Sequence, residues 1–158
     1  MHMLATAPVS RVATSADVPR LVEMFQRFVA SSQYANYVGQ SPSHCTAMIE
    51  SMMAQGEDSP LAYQIFVVGD DPIVGMLGVM VCVQPFSGET VASELFWWLD
   101  PEYRGHGGWL LRRAEKWAQS KGAVRMSMMA PIDKPRVAET YMKLGYAEVE
   151  RVFSKDLT

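Results

Sequence analysis

The chain has 158 residues, 49% of them hydrophobic and 20% charged, with 11 glycines and 9 prolines, a globular composition too apolar for a disordered tail. Its net charge of −3 argues against a general affinity for nucleic-acid backbones, which needs clustered Lys and Arg. Cys45 and Cys82 cannot build a disulfide framework, and neither joins a CxxC pair or a His/Cys cluster at ligand spacing, so no metal site is expected.

One domain is expected over residues 1–158, long enough to bury roughly 70% of the unfolded chain's surface. Met1 to Met3 read as a cloning remnant. The longest apolar run, Val74 to Val83, falls far short of the ~18 residues of a membrane span, so a soluble cytoplasmic protein is expected. Charge is unevenly spread: residues 1–90 hold three basic side chains against eight acids, and residues 91–158 hold eleven against nine. An acidic first half suits a cationic acceptor and a basic second half a phosphate-bearing ligand, although solvated surface charge explains the same numbers.

Val9 to Thr14 has strand character. A helix follows, opened by Ser15 or Asp17, with Pro19 in its first turn and Val18, Leu21, Val22, Phe25, Phe28 and Val29 at helical spacing. A polar, aromatic stretch with Tyr34 and Tyr37 leads to a second helix from about Ser43 to Gln55, and residues 56–60 form a loop by composition. Then the period changes to that of strands. Leu61–Val68, Ile73–Gln84 and Val91–Leu99, separated by turn-forming tracts, predict an antiparallel meander. The glycine loop Arg104-Gly105-His106-Gly107-Gly108 opens a helix with Leu110, Leu111, Ala114, Trp117 and Ala118 on one face, ending near Lys121-Gly122. Val124–Ala130 reads as a strand, Arg136–Leu144 as a helix capped by Gly145, and Ala147–Phe153 as a closing strand. The order predicts an α/β fold: a mixed, mostly antiparallel central sheet flanked by about four helices, with helices on both faces.

A strand ending in a Gly-rich turn that opens a helix leaves backbone N–H groups unpaired at the positive end of a helix dipole, a geometry that binds phosphate. A tight turn is the commoner reason for such glycines. The loop is neither a Walker loop, since no Gly-Lys-Ser/Thr follows, nor a dinucleotide fingerprint, since the spacing differs and a meander precedes it.

The run from Glu94 through Leu99-Asp100-Pro101-Glu102-Tyr103-Arg104-Gly105-His106-Gly107-Gly108-Trp109-Leu110-Leu111, followed by Tyr141-Met142-Lys143-Leu144-Gly145-Tyr146, resembles the core of the GNAT superfamily of acyl-CoA-dependent N-acetyltransferases. The resemblance extends over most of the chain and is nearest to small members often encoded in phages and prophages. It implies the GNAT fold and acetyl-CoA as cosubstrate. One departure stands out. Where the family's loop closes on a small residue, counting from Arg104 reaches Trp109; anchoring on Leu110-Leu111 instead leaves the loop two residues short, with Gly108 as the closing glycine.

The resemblance implies that Arg104, Gly105, His106, Gly107 and Gly108 hold the pyrophosphate and that the backbone at Trp97, Trp98 and Leu99 receives the pantetheine arm. It implies Glu94 as general base and Tyr141 as the acid that protonates the departing thiolate. Without it, Glu94 reads as a solvated or ion-paired carboxylate, on the face of Phe96 and Trp98 by alternation. Tyr141 reads equally as part of a packing stripe with Val137 and Leu144. An alkylammonium of pKa ~10.4 facing a carboxylate of pKa ~4.3 is mismatched by ~6 units, about 8 kcal/mol, a gap that apolar surroundings narrow from both sides. His106 reads as an exposed turn residue that can reach a phosphate, and Cys82 as a buried strand residue.

The reading is a cytoplasmic N-acetyltransferase moving an acetyl group from acetyl-CoA to a primary amine by direct attack in a ternary complex. The acceptor, a small molecule or a peptide N-terminus, is expected near Tyr34, Tyr37 and Phe86. No membrane and no nucleic acid are expected as partners, and a homodimer is allowed. The alternative is an acyl-CoA-binding or regulatory module without turnover.

Overall fold

The computed structural model describes residues 9–36, 41–55 and 61–157. Ser10–Val12 (β1), Ala62–Gly69 (β2), Ile73–Val83 (β3), Thr90–Leu99 (β4) and Met126–Ser127 (β5) form one sheet, ordered β1-β2-β3-β4-β5. All neighbours are antiparallel except β4 and β5, which run parallel. The helices are Val18–Ala30 (α1), Pro42–Ala54 (α2), Gly108–Ser120 (α3) and Pro135–Lys143 (α4). The mixed, mostly antiparallel sheet with four helices is the architecture expected from the sequence. The chain divides into two compact units, Met1–Ser127 and Met128–Thr158.

In the first unit, α1 begins where its sequence signals say. The Thr14 amide donates to Asp17 Oδ2 at 2.7 Å, and Arg11 donates to both carboxylate oxygens, at 2.6 and 2.9 Å. The hydrogen bond from Arg11 holds the Asp17 carboxyl at about 2, below its ordinary 3.8. Burial alone would push it upward; paired charge and hydrogen bonding win.

Strands β2 and β3 bury both faces over most of their length, so their sequences read as continuous apolar runs. On one face Leu21, Met24, Ile49, Ile65, Val67, Met76, Phe96 and Trp98 share a core beneath α1 and α2. On the other, α3 packs against β2 and β3, burying Leu110, Leu111 and Ala114, and the Trp117 ring meets Phe66 edge-on at 6.0 Å.

Strand β4 carries one extra residue. Gly78 stands opposite Phe96, but the next residue, Val79, stands opposite Glu94. Leu95 is therefore a bulge, and it packs with Phe96 against the α1–α2 core. Cross-strand partners share a face while successive residues on one strand alternate. Glu94 thus shares a face with Val79, opposite to Phe96 and Trp98, which corrects the simple alternation read from the sequence.

The ladder between β4 and β5 has two pairs, Ala92 with Met126 and Ser93 with Ser127. The expected strand Val124–Ala130 is shortened to these two residues, since no further residue of the segment is paired in the β4 ladder.

In the second unit, α4 spans the expected helix and Gly145 follows it at φ 93°. The expected strand Ala147–Phe153 is absent: residues 146–157 carry no helix or strand. Arg151 Nε reaches Glu148 Oε1 at 2.8 Å, a pairing that an extended strand forbids, since residues three apart there lie ~10 Å apart on opposite faces. No helix among the described residues is long and apolar enough to cross a membrane.

Candidate active site

Strand β4 positions the expected site residues at two points. Glu94, 6% exposed, sits immediately before the bulge, one residue past the last β5 pair. From Glu94 to Leu99, no strand pairs with that edge of β4 among the described residues. At the far end the strand hands the chain to Asp100, a turn at Pro101–Tyr103, and the glycine loop.

That loop is held by its own backbone. Tyr103 donates to the Asp100 carbonyl at 2.9 Å and His106 to the Tyr103 carbonyl at 3.1 Å, while Leu110 and Leu111 both donate to Gly107. The amides of Gly105, Gly107 and Gly108 reach no acceptor among the described residues. The His106 amide is already committed, and its ring is exposed. Gly105 has φ +97° and open space where a Cβ would lie, whereas a Cβ on Gly107 would come within 2.7 Å of the Trp97 ring and 2.8 Å of Leu99. Gly107 is therefore glycine because α3 starts directly against β4, and Gly105 because the chain turns there into the left-handed region.

Two guanidinium groups stand at the loop. Arg104 lies 5.4 Å from the centroid of the Trp98 ring and Arg112 lies 4.6 Å from that of Trp109. Trp98 is fixed from below: its indole N–H donates to Asp100 Oδ1 at 3.1 Å. Arg20 Nη2 reaches the other Asp100 oxygen at 2.5 Å, and Arg27 lies 3.6 Å from Oδ1. Glu23 bridges the same two arginines at 2.7 and 2.8 Å. Asp100, 7% exposed, thus ties the end of β4 to α1. Sequence reading passed over Asp100 and Arg112. The available signals were an acid closing an apolar strand opposite two arginines a heptad apart on α1, and an arginine three residues after Trp109.

Of the expected acceptor residues, Tyr34 packs on Phe28 at 6.4 Å, Phe28 on Phe25 at 6.0 Å, and Phe25 edge-on to Phe96 at 5.3 Å. This aromatic series lies on the α1–α2 face, the face that Glu94 does not share. Phe86 is 94% exposed in the turn between β3 and β4, and Tyr37 lies outside the described residues. In the second unit Tyr141 is 6% exposed; its hydroxyl donates to the Met129 carbonyl at 3.3 Å, and its ring lies 5.8 Å from Tyr146. Cys45 is buried, and burial pushes its thiol upward, away from nucleophile chemistry. No cluster of His, Cys, Asp and Glu suited to a metal ion occurs among the described residues.

A family model described as Acetyltransferase (GNAT) family matches residues 25–146. No curated protein matches the sequence. Among solved structures, the fold is similar to a transcriptional regulator from Bacillus halodurans C-125 at TM-score 0.78 and 17% identity, covering 95% of this chain and 99% of that one. It is also similar to the aminoglycoside antibiotic 6'-N-acetyltransferase AAC(6')-IG from Acinetobacter haemolyticus, at TM-score 0.70 and 18% identity over 95% and 99% of the two chains. A third, AAC(6')-Iy in complex with the bisubstrate analog CoA-S-monomethyl-acetylneamine, has TM-score 0.76 and 15% identity over 97% and 99%. At these identities the likeness is one of fold.

Proposed function

The chain belongs to the GNAT family of acetyltransferases, which use acetyl-CoA as acetyl donor, and from that premise we propose that it acetylates a primary amine by direct attack in a ternary complex. The observation that carries this reading is the loop at the start of α3, where the amides of Gly105, Gly107 and Gly108 lack acceptors beside two stacked guanidinium groups. A pyrophosphate fits that set: N–H donors at the positive end of a helix, arginine on either side, and no Cβ at Gly105 to obstruct it.

Acetyl-CoA supplies an activated thioester carbonyl when bound. The chain's residues do the rest. Arg104 and the loop amides hold the phosphates, and the backbone at Trp97, Trp98 and Leu99 lines up the pantetheine arm. Glu94 accepts the amine proton directly or through one water, and Tyr141 returns a proton to the thiolate. The acceptor is an amine-bearing small molecule or a peptide N-terminus. Aminoglycosides are the first compounds to test, because one structural neighbour, AAC(6')-IG, is named as an aminoglycoside antibiotic 6'-N-acetyltransferase and the first half of the chain is acidic.

Binding is tested without knowing the acceptor. Acetyl-CoA at about 100 times its dissociation constant should stabilise the fold by ~2.7 kcal/mol. An unchanged melting temperature at millimolar acetyl-CoA overturns the loop assignment.

Tyr141→Phe separates packing from proton delivery. The ring stays, so stability should fall by no more than ~0.5–1.5 kcal/mol for the lost bond to Met129, while turnover drops and acetyl-CoA affinity holds. The defect should shrink with a donor whose thiol is more acidic, since a better leaving group needs less help. Normal turnover in this variant returns Tyr141 to a packing role.

A further inference from the structure

Arg11, Arg20 and Arg27 are all neutralised by carboxylates. Arg104 and Arg112 are not: neither forms an ion pair among the described residues, and each lies against an indole instead. A guanidinium laid on an aromatic face keeps its edge N–H groups free for an anion and loses less freedom on binding. The position of Arg112 is specific. A Cβ built on Gly108 would lie 3.9 Å from Arg112 Nη2, so the guanidinium folds back over the first turn of α3. Side chains on a helix lean toward its N-terminus, and Trp109 stands one turn back, where it can support the group. Trp109 is 45% exposed, which leaves room for the guanidinium to lie against its ring.

We propose that Arg112 is a second pyrophosphate-binding cation of this site, held over the start of α3 by Trp109, so that Arg104 and Arg112 grip the cosubstrate's phosphates from both ends of the loop. The proposal rests on the loop being the pyrophosphate site, and it accounts for the departure at Trp109. A loop two residues short offers fewer amides, and a cation supported by the residue in the unexpected position replaces them. Arg112 is a binding residue. Trp109 is a positioning residue that acts through it.

The test is calorimetric titration of CoA and of dephospho-CoA, which keeps the pyrophosphate but lacks the 3′-phosphate. Arg112→Ala should weaken both ligands by about 10-fold, the scale of one charge-assisted contact at an exposed site. Trp109→Ala should weaken both by about 3-fold through the lost cation–π support. The double variant should bind no worse than Arg112→Ala alone, and Trp109→Phe should restore wild-type affinity. Both side chains are exposed, so the variants should fold as the wild type does. Arg112→Ala within 2-fold of wild type overturns the proposal. So does a loss confined to CoA, which would assign Arg112 to the 3′-phosphate, and so does a Trp109→Ala effect that adds fully to that of Arg112→Ala. Failure of the wild type to bind either ligand at millimolar concentration overturns the loop assignment itself, and the clamp with it.

Discussion

Glu94→Gln should lower turnover by roughly 10²- to 10⁴-fold, the usual worth of a positioned general base. The substitution preserves shape and removes only the ability to take a proton, and Glu94 is not part of the loop, so CoA affinity should stay within about 2-fold of wild type. The location supports the size of the effect. Glu94 is 6% exposed and stands where β4 turns one residue out of register, just past the last residue paired to β5. It is the one acid inside β4. Raising the pH should recover part of the loss, because an amine that deprotonates in solution no longer needs the carboxylate. Wild-type turnover by the Gln variant at neutral pH would remove Glu94 from the chemistry.

Asp100→Ala should destabilise the fold by about 3 kcal/mol, the lower end of what breaking a buried ion pair costs. Removing the carboxylate leaves Trp98 Nε1 without its acceptor and takes one of two anions from Arg20 and Arg27. Glu23 still neutralises both arginines, which keeps the effect from being larger. Asp100→Asn should cost less than half as much, since an amide oxygen can still accept from Trp98. Urea denaturation of the three proteins measures this. The Ala variant should also bind CoA more weakly than its stability loss explains, because Trp98 carries the Arg104 guanidinium. An Ala variant as stable as wild type would show that the network is ornamental to the fold.

Elements with a strong period were legible in the sequence. The apolar spacing from Val18 to Val29 gives α1 nearly to the residue, and the three apolar runs give β2, β3 and β4 within about one residue at each end. The bulge was hidden because Ala92, Glu94, Phe96 and Trp98 alternate without interruption in burial, while the extra residue changes which face each one serves. Its signal lay on the neighbouring strand. Gly78 is the glycine over which the Phe96 ring lies, where a Cβ would meet the ring at 2.4 Å, and an isolated glycine inside a strand marks a bulge or a close approach. The tail misled for a different reason. Ala147, Val149, Val152 and Phe153 have strand-forming side chains, but strands need a ladder and the Glu148–Arg151 pair favours a bent local chain.

The site was legible where it depends on motif and obscure where it depends on tertiary contact. The loop glycines were legible as a turn opening a helix, but only the hydrogen bonds distinguish the committed amide of His106 from those of Gly105, Gly107 and Gly108. The acceptor was expected near Tyr34, Tyr37 and Phe86. Tyr34 joins the Phe28–Phe25–Phe96 series on the face opposite Glu94, a contact that sequence order alone does not show because it depends on how α1 packs on β4.

The most direct measurement is release of free thiol from acetyl-CoA by the wild-type protein across a panel of aminoglycosides, polyamines, amino acids and peptide N-termini. The account predicts amine-dependent thiol release with at least one acceptor, accompanied by one acetyl group on the product amine and lowered roughly 10²- to 10⁴-fold in Glu94→Gln. Tight acetyl-CoA binding with no amine-dependent thiol release over the whole panel would contradict it, and would leave the chain a GNAT domain that holds acyl-CoA without turning it over.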